Sequence, residues 1–264
     1  MKKIKFLLTL TIIGTCSLPL LCCHTSKQVL VHEPLKTPNY DFVPVETKEK
    51  TDVAIALVNP VFAREMKYSS IPLFKDFPAH MGTDYEEMIT KRGYTLRGPF
   101  STVDDMVYND KAACMLSLQP EININLDFSQ ITRHAELHGQ ASMIISGVDR
   151  SYTTYKYSGT MVIEGRINMI FCEPFTREKI KVLSISIPAK TVTINDPHSY
   201  MFDDFLKVLT VSQEGAMMNP IISALEDIYQ SSFKIAYNHL DPHEINDYAG
   251  DAKKVREKSN FNSK

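Results

Sequence analysis

The stretch GTMVIEGRINMIFC (159–172) places Met161, Ile163, Ile167, Met169 and Phe171 on one face at period two, with polar and charged residues between them. That alternation specifies a strand with one buried face and excludes a helix, whose apolar positions must recur every three to four residues. EININLDF (121–128) repeats the pattern with Ile122, Ile124, Leu126 and Phe128. KIKVLSISIP (179–188) returns after the turn EPFTRE, and ASMIISGV and SYTTYKY flank a turn at residues 147–150. Residues 140–195 therefore read as an antiparallel meander.

Other elements surround it. DVAIALVNP (52–60) is an almost wholly apolar strand of the kind found inside a sheet. Thr83 with Glu86 matches a capping box and is expected to open a helix, with Lys91 and Arg92 in the last turn and Gly93 beyond it. YTLRGPF and AACMLSLQ read as strands, STVDDMVYND and MFDDFLKVLT as short helices. Asn219-Pro220 reads as an N-cap with proline at the first helical position. Ile221, Leu225, Ile228, Tyr229, Phe233, Ala236 and Leu240 then recur at helical spacing, and Asp241-Pro242-His243-Glu244 stops that helix and starts another. The order gives an α+β class: a mostly antiparallel sheet, an early strand–helix–strand unit, and C-terminal helices packed on it.

The N-terminus has a different character. Lys2, Lys3 and Lys5 precede an apolar run that Gly14, Thr15, Ser17 and Pro19 interrupt, the form of a secretory signal. Leu20-Leu21-Cys22-Cys23 fits a lipobox with Cys23 as the acylated residue. Cys22 would follow the bulky Leu21, Cys16 is a third candidate, and an ordinary secretion signal is the alternative. The expected organisation is a signal peptide over 1–22 and a lipidated N-terminus and tether over 23–50, containing Pro34, Pro38 and Pro44. A single domain over 51–258 and a polar tail over 259–264 follow.

A net charge of -2 argues against a nucleic-acid surface. Cys114 and Cys172 could pair in an oxidising compartment or stay as buried free thiols. No phosphate-cradling glycine loop, nucleophile elbow or zinc-protease motif occurs, so neither enzymatic activity nor a cofactor is expected. His134 and His138 flank Glu136, but no third metal ligand is evident, and Asp241-Pro242 separates His239 from His243. These read as exposed polar histidines, and no metal site is expected. Tyr155 and Tyr157 share one face of a strand, with Tyr152 and Lys156 on the other. Arg150 or Lys156 could meet a carboxylate such as that of a sialic acid. A half-exposed strand that simply favours tyrosine and threonine is the plainer reading.

SALEDIYQSSF (223–233) and DYAGDAKKVREK (247–258) resemble the closing segments of the Helicobacter neuraminyllactose-binding haemagglutinin family, the HpaA-type flagellar-sheath adhesin lipoproteins. LLCC, VAIALVNPVF (53–62), MITKRGYTL (88–96), EIN at 121 and CEPFTREKI agree in order. The resemblance implies a palmitate-class lipoprotein of the outer membrane, surface-exposed, acting as an adhesin or hemagglutinin on sialylated host glycans. The alternative is a structural or assembly lipoprotein of the outer membrane or flagellar sheath with a protein partner, or a homo-oligomer. The family's basic hexapeptide maps to SQITRH (129–134), which keeps Arg133 and His134 as cations, the pattern of a divergent paralogue. The resemblance thus makes Arg133, His134 and the strand from Arg150 to Tyr157 the candidate glycan contacts.

Overall fold

A computed structural model describes residues 32–47, 50–139 and 151–259. Cys23, Arg150, the expected strand at 141–148 and the turn at 147–150 lie outside the described residues. The elements are β1 (Ala54–Val58), β2 (Val61–Phe62), α1 (Phe77–Lys91), β3 (Thr95–Phe100), α2 (Tyr108–Ala113), β4 (Leu116–Gly139), β5 (Ser151–Cys172), β6 (Lys179–Asn195), α3 (Phe205–Val211), α4 (Gly215–Asn238) and α5 (Pro242–Lys258).

One mixed sheet runs in the order β3-β1-β4-β5-β6, with β2 also against β4. β1 is apolar throughout because parallel neighbours, β3 and β4, flank both its edges and close it from water. α1 supplies the crossover from β1 to the parallel β3. β4, β5 and β6 form the antiparallel meander. On β5 the period-two residues Met161, Ile163, Ile167, Met169 and Phe171 are all buried. α4 answers them with Ile221, Leu225, Ile228, Tyr229, Phe233 and Ala236, also buried. The fold class expected from the sequence is the one observed.

Several boundaries differ, each for a local reason. The LSLQ half of AACMLSLQ and EININLDF are not two strands but parts of the single 24-residue β4, while Ala112 and Ala113 end α2. Pro120 interrupts the sequence pattern but not the strand. It lies between Leu118, the last partner of β1, and Glu121, the first partner of β2, where no N–H is called on from that side. α1 begins at Phe77 with Pro78 in its first turn. Thr83 lies inside it and turns its hydroxyl back to the Ala79 carbonyl. Gly93 does end that helix, with φ of 87°. STVDDMVYND splits into a 3-10 turn boxed by Thr102 and Asp105 and the start of α2. α4 starts before Asn219. The Asn219 side chain accepts from the Lys36 N–H and donates to the Pro34 carbonyl, so it anchors another segment instead of capping its own helix. Asp241 caps α5 as expected, accepting from the His243 N–H.

The anchored segment is residues 32–47, read from sequence as part of a tether. Here it is a strap along α1 and α4. Tyr40 is buried among Phe77, His80 and Tyr229. The Asp41 carbonyl accepts from Gln230, the Phe42 N–H donates to Asp84, and the Val45 carbonyl accepts from Tyr237. Cys114 and Cys172 are free thiols. Among the described residues, no helix is long and apolar enough to cross a membrane.

Candidate functional site

β4 pairs with β1 and β2 only as far as Ile122, and β6 reaches only Ser158 of β5. The paired stretch from Arg133 with Tyr157 to Gly139 with Ser151 therefore projects past both neighbours as a two-stranded arm. Among the described residues, its one additional backbone support is a bridge between Tyr155 and Tyr200. The Tyr155 N–H donates to Tyr200 at 2.8 Å and the Tyr200 N–H returns at 2.9 Å.

The arm divides the sequence-predicted residues between its faces. Residues directly opposite share a face, and residues two apart on a strand do as well. Arg133 faces Tyr157 across the pair, so Arg133, Tyr155 and Tyr157 belong together. The Arg133 guanidinium carbon lies 5.2 Å from the Tyr155 ring centre. Its Nη1 donates to the Asp203 carbonyl at 2.9 Å and lies 3.7 Å from the Asp203 carboxylate. Tyr155 is half-buried and the Arg133 side chain is 51% exposed.

Two predicted residues do not join that pair. Tyr157 is only 2% exposed and donates its hydroxyl to the Phe202 carbonyl at 2.8 Å. Burial pushes its phenol above the usual range. It packs on Phe205 and holds the base of the arm, so it is a core residue and not a glycan contact. His134 is exposed on the opposite face, beside Lys156 in register, with Nε2 3.3 Å from the Ser158 hydroxyl.

That second face has its own order. Lys156 meets Glu136 at 2.8 Å and holds the carboxyl below its usual value by a hydrogen bond. His138 stacks on Tyr152 at 5.0 Å and meets the Thr154 hydroxyl at 2.8 Å. His134 and His138 share a face, but four strand residues span about 13 Å, too far for one ion. A different group converges among the described residues: the ligand atoms of His32, His198 and Glu214 all lie within 4.8 Å of one another. Sequence spacing could not reveal it, because the strap, the segment after β6 and the start of α4 supply one residue each. A cleft of about 320 Å³ opens nearby, lined by Leu35, Tyr40, Leu73, His80, Leu209 and Met218 among others.

No family model matches the chain, and no curated protein matches it in sequence. Among solved structures, its fold is similar to the crystal structure of a Helicobacter pylori protein named as a neuraminyllactose-binding hemagglutinin homolog. The TM-score is 0.55 at 14% identity, over 82% of this chain and 98% of that one. This establishes a shared fold. A hypothetical protein from Chlamydia trachomatis matches at a TM-score of 0.26 and 9% identity, over 71% of this chain and 97% of that one, too loosely to carry weight.

Proposed function

We propose that this chain is a non-enzymatic binding protein of the outer-membrane surface, lipid-anchored through Cys23. In this reading it contacts sialylated host glycans with the arm of β4 and β5. The observation that carries the proposal is the pairing of an exposed Arg133 with the Tyr155 ring on a projecting hairpin. A sialic acid needs a cation for its carboxylate and an apolar face for its ring, and this pair offers both. The Asp203 carbonyl holds Arg133 Nη1 at 2.9 Å, but the ion pair with the Asp203 carboxylate is long at 3.7 Å and both side chains are more than half exposed. Exposed pairs of this kind are worth about 0–1 kcal/mol, little enough for a ligand carboxylate to replace. The likeness in fold to the hemagglutinin homolog supports the same reading.

A second reading, a structural or assembly lipoprotein with a protein partner, draws support from the same strand. Beyond Ile122 the outer edge of β4 pairs with nothing among the described residues. A partner could add a strand there.

The test is binding of the purified full-length protein, in detergent, to sialylated and matched desialylated glycans, with Arg133→Ala alongside. Saturable binding that needs sialic acid and weakens at least about tenfold in the variant supports the glycan reading. Absence of binding at millimolar glycan sinks it. Protection from protease in intact cells sinks surface display and leaves the partner-protein reading.

A further inference from the structure

His198 sits just past β6 and is 8% exposed. Its Nδ1 meets the Asp196 carboxylate at 2.7 Å, and its backbone N–H donates to the same oxygen at 2.9 Å. The carboxylate fixes the ring proton on Nδ1 and leaves the Nε2 lone pair free. That Nε2 is buried and has no hydrogen-bond partner among the described residues. It lies 3.5 Å from the Glu214 carboxylate, beyond hydrogen-bond reach of it as the ring is oriented.

Two more groups meet at the same point. His32, on the strap, places Nδ1 3.0 Å from both Glu214 oxygens. Its ring stacks on His198 with centres 5.1 Å apart. Glu214 occupies the N-cap position of α4 but makes no side-chain cap there; its carboxylate is turned to the histidines instead. A His32–Glu214 ion pair would account for those two residues. It leaves the buried Nε2 of His198 without a hydrogen bond among the described residues.

We propose that His32, His198 and Glu214 form a divalent metal site suited to Zn²⁺, with Asp196 orienting His198 from behind. Two imidazoles and a carboxylate are a zinc donor set. Ligand bonds of about 2.0–2.2 Å in a tetrahedron set donors about 3.3–3.5 Å apart. The donor separations to Glu214 are 3.0 and 3.5 Å and all three donor atoms lie within 4.8 Å of one another, so the exposed His32 ring must turn out of its stack on His198 to close the set. The charges also close, since Asp196 and Glu214 together balance a divalent cation. His32 is 73% exposed at its side chain, so the fourth position faces water.

The three ligands come from the strap, the segment after β6 and the start of α4. A bound ion would therefore rivet the strap to the body. Asp196 also accepts from the Tyr200 hydroxyl, and Tyr200 bridges to Tyr155, so the rivet connects to the base of the arm. This site stands apart from the glycan reading and does not depend on it.

The experiment is a Zn²⁺ titration of chelator-stripped full-length protein against a competing chromophoric chelator, with X-ray absorption on the loaded sample. The expected result is one zinc per chain, two imidazoles and no sulfur in the absorption spectrum, and a melting temperature that rises with zinc but not with Mg²⁺. His32→Ala and Glu214→Gln should each weaken binding at least about tenfold, and Asp196→Asn about 10–100-fold. His32 is exposed, so the stripped His32→Ala protein should melt where stripped wild type melts, which separates lost binding from misfolding. No saturable zinc, sulfur ligation through the cysteines, or uptake unchanged by His32→Ala and Glu214→Gln would each overturn the proposal.

Discussion

Arg256, near the end of α5, donates from Nε to Glu173 at 2.7 Å, and the Glu173 side chain has no exposure at all. The second Glu173 oxygen accepts from the N–H groups of Phe175 and Thr176, at 2.9 and 2.7 Å. Arg256 Nη2 donates to the Cys114 carbonyl at 2.7 Å. One guanidinium thus joins α5, the turn between β5 and β6, and the exit of α2. Arg256→Ala would leave Glu173 charged, buried and unpaired, so it should destabilise the protein by about 3–5 kcal/mol in urea denaturation. A loss below about 1 kcal/mol would mean the pair behaves as a surface contact.

Gly159 sits opposite Ile131, where β4 resumes its register after the shift between Asp127 and Gln130. Its φ is +136°, and a Cβ there would come within 2.2 Å of the Gln130 carbonyl oxygen. Gly159→Ala should therefore cost about 1–3 kcal/mol in backbone strain and displace the strands locally. Hydrogen exchange should rise in residues 151–158 more than in β1. Uniform exchange across both would count against a separately supported arm.

The strands and the C-terminal helices were legible because burial writes itself at period two or 3.6. Met161 to Phe171 on β5 and Ile221 to Ala236 on α4 needed no tertiary information. Misplaced boundaries had tertiary causes: Asn219 bonds the strap, and Pro120 falls in a gap between two neighbours. The strap itself looks polar and proline-rich because few of its side chains, chiefly Tyr40, carry its burial. Of the predicted glycan contacts, Arg133 and Tyr155 do meet. Parity on paired strands sends His134 to the far face, and Tyr157, on the same face as Arg133 and Tyr155, sits deep enough to join the core. His32, His198 and Glu214 were illegible because only Asp196 and His198 are near in sequence.

Cys114 is buried against Ala56 and Met106, and burial pushes its thiol up to about 11. At pH 8 that leaves roughly one thiolate per thousand molecules, so alkylation should be slow. Cys172 is shifted in the same direction, also by burial. Native protein treated with a thiol reagent at pH 8 should leave Cys114 and Cys172 unmodified over times at which denaturant exposes both. Peptide mapping by mass spectrometry reads this directly. Rapid native labelling of Cys114 would mean that the small cluster behind β1 opens readily.

Asp84, on α1, is 3% exposed and accepts from the Tyr229 hydroxyl at 2.6 Å and the Phe42 N–H at 2.9 Å. Burial raises its pKa, and these two hydrogen bonds only partly offset the rise. A carboxyl whose folded pKa is raised contributes its stability below the unfolded value and loses it as pH climbs through the folded one. Wild type should therefore give up stability at this position from about pH 4 upward. Asp84→Asn keeps an oxygen to accept both bonds but does not titrate. Its unfolding free energy, measured in urea from about pH 4 to about pH 7, should improve relative to wild type as pH rises. A constant difference would mean that Asp84 titrates alike in both states. A difference that widens the other way would mean that its two donors outweigh burial, and that the strap is held by an ionised Asp84.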